Sequence, residues 1–208
     1  MRPSFLKSSK VLPRLLWISL GVVISLLLRG GIQPLLAHHD GASPPINGLW
    51  EGVVHPLMGL DHITLIFAVG LLAARKNGSL IWVFTSSALM GIAAGLLGIQ
   101  FSTAGVAITL LLMGILLARV DTVATVIMVA GVAIAGFCQG YPHAALIETV
   151  SSSIQVNFLV SFTLVQLALG YATCGVNRRF LRPHPNLIVP SLGIGGIGLA
   201  YLGSIYLL

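Results

Sequence analysis

Long apolar runs separated by short polar connections fill the chain from Leu49 to its C-terminus. Each run approaches the length of about 20 residues that an apolar helix needs to cross a bilayer. The pattern therefore predicts an all-α fold, a polytopic membrane helix bundle with six transmembrane helices. The predicted spans are residues 49–74, 79–98, 101–118, 122–149, 154–174 and 187–208.

Residues 1–37 have the pattern of a secretory signal. Basic residues precede an apolar core at residues 15–28, and the small residue Ala37 offers a cleavage point. An apolar core of this length is short for a transmembrane helix. We predict cleavage after Ala37, with an uncleaved additional helix as the alternative.

Cleavage after Ala37 leaves residues 38–48 as an extracytoplasmic segment in front of a transmembrane domain at residues 49–208. The segment begins with His38 and His39. Imidazole nitrogens suit borderline divalent metals. We predict that these two histidines capture metal ions, and a short flexible tail is the alternative.

Composition and charge support the membrane prediction. Charged residues make up 8% of the chain and hydrophobic residues 56%, whereas soluble proteins carry about 25% charged residues. Loops on one side of the predicted bundle hold all the loop Lys and Arg residues, namely Arg75, Lys76, Arg119, Arg178, Arg179 and Arg182. The positive-inside rule places these loops in the cytoplasm and both ends of the mature chain outside. We predict an integral protein of the bacterial cytoplasmic membrane that does not bind nucleic acid.

Ionisable side chains of the first predicted span are concentrated between His55 and His62. His55, Asp61 and His62 lie within eight residues, and such groups are costly at membrane depth unless they are paired, hydrated or coordinating a cation. On a straight helix the two histidines share one face but lie about 10 Å apart. A second element must therefore converge on them, or an ion must visit two sites. Asp61 either ligates beside His62 or orients an imidazole.

The fourth predicted span offers a converging element near its outer end. Gly140 and Pro142 are predicted to interrupt this helix, and His143 and Glu148 follow. Irregular backbone at membrane depth is tolerated where it lines a polar cavity. Because the loop charges place both polar clusters in the outer half of the membrane, we predict one shared metal site. The predicted metal-binding residues are His55, Asp61, His62, His143, Glu148, His38 and His39.

The first-span pattern His55-Pro56-x-x-Gly59-x-Asp61-His62 resembles a motif of the HupE/UreJ family of nickel permeases. A signal peptide and a histidine-bearing start of the mature chain add to the resemblance. The family resemblance implies a membrane protein that supplies nickel for hydrogenase or urease maturation. It also implies that relatives of this kind extend to cobalt carriers.

The fourth span departs from the family pattern, which has the form His-Gly-x-Ala-x-Gly with a nearby Glu. Gln139 stands at the first histidine position, and Gly140 matches. Pro142 replaces the alanine and Ala144 the second glycine, while His143 falls inside the motif. The departure bears on which metal is carried.

Together these features predict a permease for a divalent transition metal, with nickel uptake for metalloenzyme maturation as the leading function. The metal ion is then cargo, and no prosthetic group is expected. Cobalt transport by the same route, an intramembrane metal-dependent enzyme and an accessory subunit are the alternatives. An enzyme is not favoured because neither a nucleophile nor an H-E-x-x-H motif is evident in the sequence. The expected partners are the metal ion and the lipid bilayer, and a homo-oligomer is left open.

Overall fold

The computed structural model describes residues 47–102, 104–180 and 187–207. These residues are helical apart from short connections, so the predicted all-α class is confirmed. The predicted signal peptide and most of the segment after it, including His38 and His39, lie outside the described residues. The elements are α1 (Gly48–Met58), α2 (Leu60–Arg75), α3 (Ser79–Leu96), α4 (Ala104–Ala118), α5 (Thr125–Gly140), a 3-10 turn (Tyr141–His143), α6 (Ala144–Ile147), α7 (Ser152–Phe180) and α8 (Ile188–Leu207).

Within the described ranges, the structure contains four or five candidate membrane spans. Four stretches are long and apolar enough to cross a bilayer, and α1 with α2 forms a fifth candidate that is bent by 77°. Helix α4 is apolar but has only 15 residues. The chain is therefore an integral membrane protein, and the sixth predicted span depends on α4. The four long stretches are Ser79–Leu96, Thr125–Ile147, Ser152–Arg179 and Ile188–Ile205.

Helix α2 lies at the centre of the bundle. Twelve of its sixteen residues are buried, and it contacts α1, α3, α4, α5, α7 and α8. Ile63 and Phe67 remain exposed, whereas the polar groups on the buried side of α2 face protein. Its first turn carries Asp61 and His62, which places these two side chains inside the bundle.

Small residues allow the helix pairs to approach closely. A Cβ atom added at Gly136 or Gly140 of α5 would collide with backbone atoms of Phe84 or Ala88 in α3. A Cβ atom on Gly114 of α4 would come within 2.8 Å of a backbone oxygen in α8. Close approach through small residues drives helix association in lipid, where apolar burial gives little driving force.

Basic side chains mark one end of the bundle. Arg75, at the end of α2, lies 2.8 Å from Asp121 in the α4–α5 connection. Arg178, near the end of α7, donates to the Ala73 carbonyl oxygen at 3.1 Å. We call this the basic end. Since His62 is thirteen residues before Arg75, it lies about 20 Å away along α2.

Candidate metal centre

A sharp break at Gly59 brings the two first-span histidines together. Gly59 ends α1 and begins α2 with extended backbone angles, φ −81° and ψ 119°, and the two helices meet at 77°. The ring centroids of His55 and His62 are 5.1 Å apart. The separation of about 10 Å that a straight helix would give does not apply, because the extended residue folds the two histidines toward each other. Pro56 lies close to the end of α1.

The 3-10 turn after α5 supplies the third imidazole. His143 ends this turn, and its ring centroid lies 4.8 Å from those of His55 and His62. The predicted interruption of the fourth span is present, since α5 ends at Gly140. The backbone does not unwind there, because Tyr141, His143 and Ala144 keep right-handed helical angles. His143 thus faces the first span from a 3-10 turn.

Asp61 orients His62 from the same helix. Its Oδ1 lies 2.9 Å from His62 Nδ1, and both side chains are almost fully buried. The carboxylate is in the first turn of α2, where the positive end of the helix dipole stabilises a negative charge. A carboxylate that accepts a hydrogen bond from one imidazole nitrogen fixes the tautomer of the ring. The lone pair of the other nitrogen can then bind a metal ion.

Hydrogen bonds to acceptors determine which nitrogen of each buried imidazole carries its proton. His62 Nδ1 faces the Asp61 carboxylate, and His143 Nδ1 lies 3.1 Å from the Gly140 carbonyl oxygen. Both oxygens only accept, so each Nδ1 of a neutral ring must be the donor. The two Nε2 atoms then carry lone pairs, yet they lie 2.7 Å apart. A shared proton or a metal cation between them would remove the repulsion.

Three histidines could hold a metal ion at this point. One ligand nitrogen from each of His55, His62 and His143 lies within 4.8 Å of the others. His62 and His143 are fully buried and His55 is half-buried. Three converging imidazoles suit a borderline divalent cation such as Zn²⁺, Cu²⁺ or Ni²⁺ rather than a hard cation such as Ca²⁺.

An aromatic wall from α7 closes the centre on one side. The stacked rings of Phe158 and Phe162 lie 5.6 Å apart, and the Phe162 ring centroid is 4.7 Å from that of His143. Both phenylalanines are buried. The sequence gives no signal for them, because an i, i+4 aromatic pair in a membrane helix more commonly faces other apolar groups.

The remaining predicted ligands lie apart from the three histidines or outside the described residues. Glu148 caps α6 and is exposed to the surroundings of the bundle. His38 and His39 belong to the part of the chain that the structure does not describe. The described residues thus bring together His55, His62 and His143, with Asp61 hydrogen-bonded behind His62.

The comparisons with known proteins agree with the sequence motif. The family model described as HupE / UreJ protein matches residues 26–206. The chain is similar to Protein HupE of Rhizobium leguminosarum bv. viciae, with 30% identity over 127 residues, 58% of this chain and 65% of the relative. The chain thus spans slightly less than two thirds of that relative's length. No solved structure matches the chain. Because the family match covers most of its length, the chain belongs to the HupE/UreJ family.

Proposed function

We propose that the protein is a membrane permease for a divalent transition metal, with nickel as its leading cargo. Uptake would supply the metal for maturation of a metalloenzyme, a hydrogenase or a urease. Cobalt transport by the same route is the alternative. The proposal rests on one observation, the convergence of His55, His62 and His143 inside a membrane bundle.

The facing Nε2 atoms favour a metal ion over a shared proton. A shared proton needs only two imidazoles, whereas a third, His55, directs its ring to the same place. Two nitrogens on one metal, each bonded at about 2.0–2.1 Å, lie about 3 Å apart. His62 Nε2 and His143 Nε2, now 2.7 Å apart, therefore need to separate by only a few tenths of an ångström.

The position of the centre suits uptake rather than permanent storage. Under the proposed topology the basic end is cytoplasmic, so the histidines lie in the outer half of the bundle. His38 and His39 would capture ions outside, and Glu148 would attract them to the outer mouth. Six spans, a cleaved signal peptide and extracytoplasmic termini complete this arrangement in the bacterial cytoplasmic membrane.

Radiolabelled uptake into proteoliposomes tests the function. The purified wild-type protein is expected to admit ⁶³Ni²⁺ at a rate that His143→Ala reduces to the level of empty vesicles. His184→Ala serves as the matched control, because His184 follows α7 in sequence and takes no part in the proposed centre. Equal protein content of the vesicles must be verified.

Competition identifies the cargo in the same vesicles. Nickel uptake that survives a tenfold excess of Co²⁺ supports nickel, and cobalt uptake without nickel uptake supports the alternative. Uptake of either metal that is equal in wild type and His143→Ala would overturn the proposed route.

A further inference from the structure

Three further polar side chains are buried about one helix turn closer to the basic end than the histidines are. The exposed fractions of Thr85, Gln139 and Gln166 are 2%, 0% and 1%. Their side-chain polar atoms have no hydrogen-bond partner among residues 47–102, 104–180 and 187–207. A buried polar group without a partner destabilises a fold by roughly 1–3 kcal/mol, so three such groups together require an explanation beyond packing.

The contact between the His143 and Phe162 rings places the two glutamines at the same level. The His143 and Phe162 rings are in contact, and α5 and α7 run in opposite directions because α5 ends and α7 begins at the histidine end of the bundle. Gln139 precedes His143 by four residues, and Gln166 follows Phe162 by four. Each glutamine therefore lies about 6 Å closer to the basic end, and Gln166 shares the helix face of Phe162.

The register of α3 and α7 adds Thr85 at that level. A Cβ atom on Gly170 would lie 2.9 Å from the Ile81 side chain, so these two residues face each other. The helices run in opposite directions. Moving four residues toward the histidine end leads from Ile81 to Thr85 and from Gly170 to Gln166. Thr85 and Gln166 thus lie at one level along the bundle, which Gln139 shares.

These three residues also separate two apolar regions. The small cluster at the histidine end contains Ala88 and Phe162, whereas the main core contains Phe84 and packs against Leu167. Thr85 lies between Phe84 and Ala88 in α3, and Gln166 lies between Phe162 and Leu167 in α7. The polar layer therefore interrupts the apolar interior directly below the histidines.

We propose that Thr85, Gln139 and Gln166 form a second, uncharged station for the cation on its way to the basic end. This inference rests on the proposed transport function. Two amide oxygens and a hydroxyl are hard, neutral donors, which bind a borderline metal more weakly than imidazoles do. Conduction requires such weak sites, because an ion must leave each site as well as enter it. The station would accept the divalent cation, with part of its water shell, as it leaves the histidines.

Separate measurements of binding and uptake test the station. Gln166→Leu and Thr85→Val are expected to change equilibrium Ni²⁺ affinity in detergent by less than about twofold, because the three histidines stay intact. Uptake into proteoliposomes should fall by about tenfold, which corresponds to a barrier after the histidines that is higher by about 1.4 kcal/mol. Thr85→Ser, which retains the hydroxyl, should restore uptake.

Thr109→Val is the matched control. Thr109 is equally buried in α4, but its hydroxyl donates to the Val106 carbonyl oxygen within the helix. Wild-type affinity in detergent verifies that each variant has folded around its histidines. Gln166→Glu provides a second test that depends on gain of binding, because a carboxylate at this level should allow one additional equivalent of Ni²⁺ to bind.

The outcomes distinguish the two proposals. Wild-type uptake by both Gln166→Leu and Thr85→Val, or no additional Ni²⁺ in Gln166→Glu, would overturn the station and leave the permease intact. Unchanged uptake by His62→Ala in the same vesicles would overturn the permease itself. Equal losses of uptake in Thr85→Val and Thr109→Val would show that the effect is only structural, and would also overturn the station.

Discussion

The region built from α1, α2 and α7 differs from the α4–α8 pair in what it buries, although both regions pack in the same way. Gly52 of α1 lies against the α7 backbone at Phe158, and Gly114 of α4 lies against the α8 backbone at Ser191. In the first region the buried polar groups include Asp61 and His62. In the α4–α8 pair, the hydroxyls of Thr109, Ser191 and Ser204 each donate to a carbonyl oxygen within their own helix.

The comparison shows that close helix packing does not create the candidate site. Small residues serve both regions, so they explain how the helices associate rather than what the protein binds. The centre depends on a break in helix winding at Gly59 and on imidazoles that face one another. Variants that change one region and spare the other can therefore test the account.

The largest effect is expected from His62→Ala, which removes one of the two facing Nε2 atoms. Loss of a direct ligand should exceed the 10- to 100-fold effects of outer partners, so Ni²⁺ affinity should fall by more than about 100-fold. Isothermal titration of the purified protein measures this. Ser191→Ala in the α4–α8 pair is the control and should bind as wild type does. Equal affinities in the two variants would contradict the site.

A smaller loss is expected from Asp61→Asn. The amide keeps the size of the side chain but loses the charge that orients His62, so Ni²⁺ affinity should fall by about 10- to 100-fold. Asp121→Asn is the matched control, because Asp121 forms its ion pair with Arg75 at the basic end and is exposed. Titration of both variants side by side should show a loss only for Asp61→Asn. Comparable losses of Ni²⁺ affinity in both variants would contradict the orienting role of Asp61.

Gly140→Ala should lower the stability of the fold without removing a metal ligand. The added methyl would collide with the Ala88 backbone, and overpacking of this kind costs about 1–3 kcal/mol. Gly193→Ala in α8, where a Cβ atom meets nothing within 4 Å, should leave stability unchanged. Thermal unfolding in detergent would show a lower Tm for Gly140→Ala alone. A lower Tm for both variants would mean that α8 is packed more tightly than the structure indicates.

The smallest effect is expected from Glu148→Gln. The carboxylate is exposed, so it can raise the local cation concentration but does not hold the ion in the three-histidine centre. We expect uptake at low Ni²⁺ concentration to fall by about two- to threefold and the effect to vanish at high salt. Uptake assays at two ionic strengths measure this. A salt-independent loss of more than tenfold would place Glu148 among the ligands.

Much of the fold could be predicted from the sequence, because apolar run length and loop charge are local properties. The runs predicted helices where the structure places α3, α5, α7 and α8. The bend between α1 and α2 in the first span could not be predicted. Gly59 adopts angles open to any residue, and no local pattern distinguishes a bent pair of helices from one straight helix.

The three histidines of the candidate site could be predicted from the sequence, but their geometry could not. His55, His62 and His143 stood out because ionisable groups in apolar runs are rare. Their convergence depends on tertiary packing. The sequence gives no signal for Phe158, Phe162 and Gln166, because their positions depend on tertiary packing, and it marks Gln139 only as a departure from the family motif.

X-ray absorption at the nickel K-edge of the loaded, untagged protein tests the central claim most directly. The account predicts imidazole scattering from three histidines, with metal–nitrogen bonds of about 2.0–2.1 Å, as is typical of histidine ligands. It also predicts one imidazole fewer in His55→Ala. Nickel without imidazole ligands, or spectra identical in wild type, His55→Ala and His62→Ala, would contradict a metal centre built from these histidines.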